Sequence, residues 1–431
     1  MSEFAAEFAV RRRIESLDRA ELERRQLAKL NALLDDVLPA NAFYARKFAG
    51  LPRPIRSLDE FRGWPTTTKD EFAAAPEPGM LAANQTWPTA RYARYHQTSG
   101  TRGRPQIVLE TRDDWRWWNA VWQFIFDAAD VRPGDRVLMA FSFGPFIGFW
   151  SAFDAAVERG CLLIPAGGLS TRARLDMLRA TGANVVLCTP SYALHMAEVA
   201  AVQGIDAAAL GVRRLVLAGE PGGSIPAVRA RLRELWNAEV HDHAGATEVG
   251  PWGYGDDTGE GLYVMEDEFL AEFVRPGTDE PAVEGETAEL IVTGLGRRGC
   301  PCIRYRTRDL VKPIWNHDRT RRFVFLAGGV LGRADDMLVV RGVNIFPSSI
   351  DAVVREFSEA VEYRATVSTV AAMDQIALEL EASAAVVERV AETLRSRLGL
   401  KIDVVAVAPG GLPRFEGKGK RWIDRRGETQ T

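Results

Sequence analysis

RVLMAF (136–141), CLLIPA (161–166), ANVVLC (183–188) and RRLVLA (213–218) are four short apolar runs in a chain of 431 residues. They place strands at Val137–Phe141, Leu162–Ile164, Val185–Leu187 and Leu215–Leu217. Helical stretches lie between and after them, at Phe149–Arg159, Arg172–Thr181, Tyr192–Val202 and Pro226–Trp236. Alternating strands and helices predict a parallel sheet in an α/β architecture, because a parallel connection needs a crossover long enough to hold a helix. Gly160, Gly182 and Gly204 fall just past three of these helices, where a left-handed residue ends a helix at little cost.

Outward from this stretch the texture changes twice. After Glu260, Leu262–Val264, Phe269–Val274 and Ala288–Val292 read as short strands joined by Pro-, Gly- and Glu-rich turns, which predicts an antiparallel subdomain. Near Gly332 a third pattern begins, with strands at Val339–Val340, Ala365–Ser368, Ile376–Glu381 and Ile402–Ala406 and helices at Ser348–Phe357 and Ala385–Leu398. That is an α+β unit of about 100 residues, enough to fold separately. Towards the N-terminus, Ala5–Val37 carries apolar residues at helical spacing among Arg and Glu. Leu58, Phe61 and Trp64 are expected to pack the proline-broken segment Pro39–Thr68 onto the body. Thr66-Thr67-Thr68-Lys69-Asp70-Glu71 has hydroxyl caps ahead of acids, the pattern of a helix start.

Composition excludes several classes. Hydrophobic residues are 46% and charged residues 26% of the chain, an ordinary globular balance. Lys plus Arg number 54 against 58 Asp plus Glu, a net charge of -4, which argues against a nucleic-acid coat or a polybasic membrane binder. Cys161, Cys188, Cys300 and Cys302 are too few and scattered for a disulfide framework and read as reduced thiols. Glu3 and Glu7 interrupt the N-terminal apolar residues. No apolar run approaches the roughly 18 residues of a membrane span. A cytoplasmic protein is expected.

The motifs that carry chemistry lie in order along the chain. The first is Gln97-Thr98-Ser99-Gly100-Thr101-Arg102-Gly103-Arg104-Pro105, whose glycines and hydroxyls suit an approaching anion. It is neither a P-loop nor a strand-linked G-x-G-x-x-G. Ala218-Gly219-Glu220-Pro221-Gly222 and Ala244-Gly245-Ala246-Thr247-Glu248 each follow a strand. Tyr305-Arg306-Thr307-Arg308-Asp309, Gly332-Arg333-Ala334-Asp335-Asp336 and Arg414-Phe415-Glu416-Gly417-Lys418 complete the set.

This ordered set resembles the adenylate-forming acyl-CoA synthetase superfamily and, within it, the phenylacetate–CoA ligase family. Ile303–Asp309 and Asp336–Pro347 look particularly close to that branch. The resemblance covers nearly the whole chain, from Thr66 to Lys418. It implies a large N-terminal α/β domain, residues 1–333, with a parallel sheet and an antiparallel subdomain. It also implies a small mobile α+β C-terminal domain, residues 334–431. The implied reaction has two steps: a carboxylate attacks the α-phosphate of ATP, and a thiol, normally that of coenzyme A, then displaces AMP.

The resemblance also implies roles for particular residues. Thr98, Ser99, Gly100, Thr101 and Gly103 would hold the β- and γ-phosphates. Glu248 would help hold Mg²⁺, and Thr247 would reach the α-phosphate. Gly219, Glu220 and Pro221 would line the adenine pocket, and Asp309 would accept from both ribose hydroxyls. Arg333 would stabilise the nucleotide, Asp335 would be the hinge, and Lys418 would bridge the acyl carboxylate and the α-phosphate. Lys420, Arg421, Arg425 and Arg426 read as a solvated basic tail. Two departures from the family pattern stand out: Arg102 where a threonine is usual, and Ala244 where a tyrosine is common.

Phe141, Phe143 and Phe146, at the end of the first parallel strand, suit the wall of a pocket for a flat aromatic acid, together with Ala244 and Gly245. Trp115, Trp118 and Trp122 have the spacing of a packed helix face. His241 and His243 flank Asp242, but Cys300-Pro301-Cys302 is far away in sequence and too tightly spaced for the common C-x-x-C pair; relatives in the branch it resembles carry a structural zinc near the segment here reading Tyr254-Gly255-Asp256-Asp257, and with no cysteine there the resemblance implies no structural zinc. The reading is therefore an ATP-dependent, Mg²⁺-using ligase that joins an aromatic or arylacetic acid to coenzyme A. The same fold could pass the acyl group to a carrier protein or an amine, or act as a silent nucleotide-binding regulator. The expected partners are a small carboxylic acid and coenzyme A or a carrier protein, with no nucleic acid and no membrane; a homodimer is one of the open oligomeric states.

Overall fold

The computed structural model describes residues 3–98, 105–141, 144–145, 147–148, 150–318, 320–334, 338–340, 343–345, 347–370, 373–414 and 421–426. Ser99, Gly100, Thr101, Gly103, Phe143, Phe146, Asp335 and Lys418 lie outside the described residues. Of two N-terminal helices, Glu3–Glu15 and Arg19–Val37, the second buries Leu22, Leu30, Leu33, Leu34 and Val37. Phe61 and Trp64 are buried and Leu58 packs against the same core, as the sequence suggests. The hydroxyl-rich stretch opens the short helix Lys69–Phe72, capped by Thr68 and Glu71 in a reciprocal box.

A two-stranded hairpin, β1 (Tyr92–Gln97) and β2 (Ile107–Thr111), flanks the first glycine- and threonine-rich motif. The helix Arg112–Ala128 follows and buries Trp115, Trp118 and Trp122. The alternating stretch supplies β3 (Arg136–Met139), β4 (Leu162–Pro165), β5 (Val185–Cys188) and β6 (Arg214–Leu217), with helices Trp150–Glu158, Thr171–Thr181, Pro190–Val202 and Pro226–Trp236. Gly182 ends the second of these helices at φ +58, as a left-handed cap should. Next come β7 (Glu239–Ala246), β8 (Gly250–Gly255) and β9 (Gly261–Val264).

The chain then forms β10 (Phe269–Val274), β11 (Ala288–Gly294), β12 (Tyr305–Val311), β13 (Pro313–Ile314), β14 (Phe325–Ala327) and β15 (Gly332–Arg333). The main sheet has the order β13-β14-β9-β8-β7-β6-β5-β3-β4. It is parallel from β7 to β4 and antiparallel from β7 to β13. A second sheet, β10-β11-β12-β15, is antiparallel throughout.

One expectation is thereby corrected. Leu262–Val264 does not join Phe269–Val274 and Ala288–Val292 in the antiparallel sheet; it extends the main one. Strand texture shows that a segment is extended but not which edge it pairs with. That choice is made here by small residues: a side chain at Gly261 would lie 2.1 Å from the carbonyl oxygen of Leu326, so only glycine lets β9 and β14 approach.

The remaining elements build a small C-terminal domain around its own core, which includes Leu338, Ile345, Ile350, Tyr363, Leu378 and Leu394. A β-hairpin, β16 (Leu338–Val340) and β17 (Val343–Ile345), leads into helix Pro347–Val354. The sheet runs in the order Asp403–Val407 (β20), Met373–Glu381 (β19), Tyr363–Val370 (β18) and Trp422–Asp424 (β21), with helix Ala384–Leu398 beside it. Strand β21 was not anticipated. Its flanking Arg421 is no solvated tail residue: its side chain is 10% exposed and paired to Glu362.

Candidate active site

Two loops at the carboxyl ends of parallel strands form the first wall, where open α/β sheets receive ligands. β6 runs into Ala218-Gly219-Glu220-Pro221. Gly219 is left-handed at φ +92, and Glu220 accepts a hydrogen bond from the Ser191 backbone N–H at 2.8 Å, tying the loop to the start of the preceding helix, Pro190–Val202. A side chain at Gly223 would lie 2.6 Å from Asp242 Cγ, so the loop and β7 meet without room for a Cβ. β7 carries Asp242, Ala244 and Gly245. Its register with β8 slips between Ala244 and Ala246, a bulge of the kind that re-aims side chains beside active sites. A Cβ at Gly245 would lie 2.9 Å from the Gly250 carbonyl oxygen.

The facing wall is Asp309 with Arg333. On β11 and β12, Glu289 faces Leu310 but Ile291 faces Arg306, so the chain bulges at Thr307 to Asp309. Arg308 takes the left-handed φ of +66, a conformation that costs about 1–2 kcal/mol for a residue with a side chain. Asp309 pairs across to Arg333 on β15, with carboxylate and guanidinium 4.0 Å apart. Between the walls lies a cavity of about 490 Å³. Gly219, Glu220, Pro221, Ala244, Gly245, Asp309 and Arg333 all line it, and Tyr363, Trp422 and Asp424 of the small domain close it.

Thr247 and Glu248 sit in the turn directly after β7. The Glu248 backbone carbonyl accepts from the Arg297 guanidinium and from the Cys302 thiol, the latter at 2.7 Å. Burial pushes that thiol up, so it remains a donor. The buried Glu248 carboxylate has the ammonium of Lys69 at 3.2 Å. The Glu248 carboxylate oxygens are ligands of the kind Mg²⁺ prefers. Lys69 is brought there by Thr67, whose N–H donates to the Arg304 carbonyl at 2.7 Å and whose carbonyl accepts from Arg306 at 2.9 Å. Thr98 closes the base of the first motif: its N–H donates to the Gln106 carbonyl and its hydroxyl accepts from the Gln106 N–H, both at 3.0 Å. Gln97 in turn donates to the Pro145 carbonyl at 2.8 Å, joining this motif to the aromatic segment. Phe141 packs partly buried against the main core and is not among the described residues lining the cavity.

Asp242 and Lys69 were not singled out as site residues from the sequence. For Lys69 the signal was present, in the hydroxyl-rich stretch, but was read only as a helix start. Asp242 lines the cavity. Ser224 donates to it at 2.5 Å and the His243 N–H at 3.0 Å. Burial nevertheless raises its carboxyl to about 6. Burial also lowers His241 and His243 to about 4, leaving both rings neutral near pH 7. Among the described residues no group of three or more His, Cys, Asp or Glu is arranged to hold a metal.

A nucleotide-sized cavity between a switch-point sheet and a small second domain is the plan of an enzyme that activates substrates with a nucleotide. The family model for AMP-binding enzymes matches residues 59–291, and that for the AMP-binding enzyme C-terminal domain matches residues 342–426. The phenylacetate–coenzyme A ligase of Escherichia coli (strain K12) is 31% identical over 96% of this chain and 97% of its own. The ligase of that name from Thermus thermophilus is 30% identical over 96% and 98%. The chain belongs to the AMP-binding enzyme family and, within it, to the phenylacetate–coenzyme A ligase family.

Among solved structures, 2-hydroxyisobutyryl-CoA ligase in the postadenylation state with 2-HIB-AMP is 28% identical, with a TM-score of 0.89 over 96% of this chain and 91% of that one. The same ligase with 2-HIB-AMP and CoA in the thioesterification state, at 28% identity over 96% and 92%, scores only 0.72. With sequence and coverage unchanged, the difference lies in arrangement. The present chain is arranged more like the postadenylation state.

The raised carboxyl of Asp242 has a measurable consequence. Its folded value lies above the unfolded one, so the folded state gains stability from it below about pH 4 and loses that gain as pH rises through about 6. The unfolding free energy of the natural chain, minus that of Asp242→Asn, is expected to fall by about 2 kcal/mol between pH 4 and pH 7. Denaturant titrations across that range check this; a difference that is flat or rising would contradict it.

Proposed function

We propose that this chain is an AMP-forming acid–thiol ligase that joins an aromatic or arylacetic acid to coenzyme A through an acyl-adenylate. The observation that carries the reading is the cavity that brings Gly219, Glu220, Pro221, Ala244, Gly245, Asp309 and Arg333 together beneath a strand of the small domain. The shared name of the sequence relatives supports an arylacetic acid, and supports coenzyme A over a carrier protein or an amine.

The carboxylate of the acid attacks the α-phosphorus of ATP, the bond to pyrophosphate breaks, and acyl-adenylate forms. The sulfur of coenzyme A then attacks the acyl carbon, and AMP leaves with the bonding electrons as the thiol gives up its proton. The chain must orient both nucleophiles and neutralise charge that grows at phosphate. Adenine lies along Gly219-Glu220-Pro221, and Asp309, an ionised acceptor, takes the ribose hydroxyls. Arg333 balances negative charge on the nucleotide. Thr98, Ser99, Gly100, Thr101 and Gly103 cradle the β- and γ-phosphates, and Thr247 donates to the α-phosphate.

Glu248 would hold Mg²⁺, which would supply neutralisation of phosphate charge; Lys69 stands on the same carboxylate. Ala244, in place of an aromatic side chain, leaves the wall beside Gly245 open to a flat acyl group, for which Phe141, Phe143 and Phe146 are the proposed aromatic residues. The domains divide at 333/334, Asp335 is the pivot, and Lys418 on the small domain bridges the acid and the α-phosphate during the first step only.

Two variants test these assignments. Asp309→Ala loses hydrogen bonds to a charged acceptor, about 1.5–3 kcal/mol, so ATP should bind about 10- to 150-fold more weakly to a folded protein. Calorimetric titration with ATP reads this, and unchanged affinity removes Asp309 from the site. Lys418→Ala should slow carboxylate-dependent pyrophosphate exchange by about 10²–10³, while a supplied acyl-adenylate and coenzyme A still give thioester at a near-normal rate. Lys420→Ala should keep most of both activities; if it fails at adenylation and Lys418→Ala does not, the assignment is two residues off.

A further inference from the structure

Two buried acids of the small domain have no part in this chemistry, yet they stand side by side. Glu362 precedes β18 and Glu381 ends β19. The Glu381 N–H donates to the Glu362 carbonyl at 2.8 Å, and the Val361 N–H donates to the Glu381 carbonyl at 3.1 Å. Like charges at facing positions destabilise a sheet, and burial sharpens the penalty. Each acid has its own arginine. Glu381 takes both terminal nitrogens of Arg414, at 2.9 and 2.8 Å, and the N–H groups of Leu412 at 2.6 Å and Gly410 at 3.1 Å. Glu362 takes Nε and a terminal nitrogen of Arg421 at 2.6 and 2.9 Å. Burial alone would raise both carboxyls; the arginines and backbone donors hold them below the usual range.

Arg414 and Arg421 are the residues on either side of 415–420, the span that contains Lys418. These two flanking residues are held at neighbouring positions of one sheet by bidentate pairs, the geometry that specifies direction as well as distance. Beyond one end, Arg421 leads into β21, whose Trp422 and Asp424 line the cavity. At the other end, Arg414 Nε also lies 3.7 Å from Glu198 of the large domain. Glu198 is on the helix Pro190–Val202, whose first residues line the cavity.

We propose that Glu381 and Glu362 are positioning residues which, through Arg414 and Arg421, set the span 415–420 so that Lys418 reaches the reacting phosphate. This rests on the reading of Lys418 given above. A misplacement of about 1 Å can cost about 10²-fold in rate. Glu381→Gln keeps the shape but loses the charge. It is expected to lower kcat for carboxylate-dependent pyrophosphate exchange by about 10- to 100-fold, with KM for ATP within about twofold. Thioester formation from a supplied acyl-adenylate should also stay within about twofold.

Should Glu381→Gln not fold, Arg414→Lys, which keeps the charge but not the fork, is measured in the same way. Lys418→Ala is run in parallel. If it is impaired in exchange and the Glu381 or Arg414 variant is not, the positioning role is overturned. Equal losses in both half-reactions also overturn it, in favour of general support of the small domain. A normal Lys418→Ala overturns the reading of Lys418 and the positioning role with it.

Discussion

One buried guanidinium ties three motifs together. Arg297 follows β11, is 1% exposed, and meets the fully buried Glu110 at 2.7 Å. Glu110 lies on β2, the strand that returns from the glycine- and threonine-rich motif, and Arg297 also donates to the backbone carbonyl of Glu248. The strand after the first motif, the turn that carries Glu248 and the segment that leads into Cys302 are therefore fixed relative to one another by a single charge. Such a pair is costly to bury, and the cost shows at Glu110, whose carboxyl is raised by burial to about 8 although the guanidinium beside it pulls the other way. A buried pair of this kind is better suited to fixing the geometry of a charged site than an apolar contact, which has no preferred direction.

The rest of the site follows from where the sheet changes character. β7 is parallel to β6 on one side and antiparallel to β8 on the other, so its carboxyl end opens onto a crevice. The antiparallel second sheet supplies the opposite wall through Asp309 and Arg333. Neither wall is complete alone. The third side comes from a domain with its own hydrophobic core.

Much of this was legible in the sequence, for physical reasons. A parallel strand buried on both faces is apolar throughout, so β3, β5 and β6 were visible as runs; the edge strand β4 reads the same way although Leu162 is exposed, and glycines at helix ends marked the crossovers. Gly219, Ala244, Gly245, Asp309 and Arg333 were legible because their motifs carry them in order, and the structure brings them to one cavity. What stayed hidden depends on contacts between distant segments. β9 reads as any other short strand until its partner is known, and β21 was concealed by the arginines around it. Lys69 looked like the start of a helix; only the bridge from Thr67 to the strand of Asp309 turns it toward Glu248. Glu362 and Glu381 carry no signal of their own in the sequence, since nothing local says that each meets an arginine dozens of residues away.

The central claim is that this cavity activates a carboxylic acid at the expense of ATP and hands it to coenzyme A. The most direct measurement is pyrophosphate release by the purified chain across a panel of aromatic, arylacetic and short aliphatic acids, with coenzyme A present and absent. The account predicts release that depends on the acid, is greatest with an aromatic or arylacetic member, and turns over to thioester and AMP only when coenzyme A is present. Absence of acid-dependent release across the whole panel, from a folded protein that still binds ATP, would contradict it.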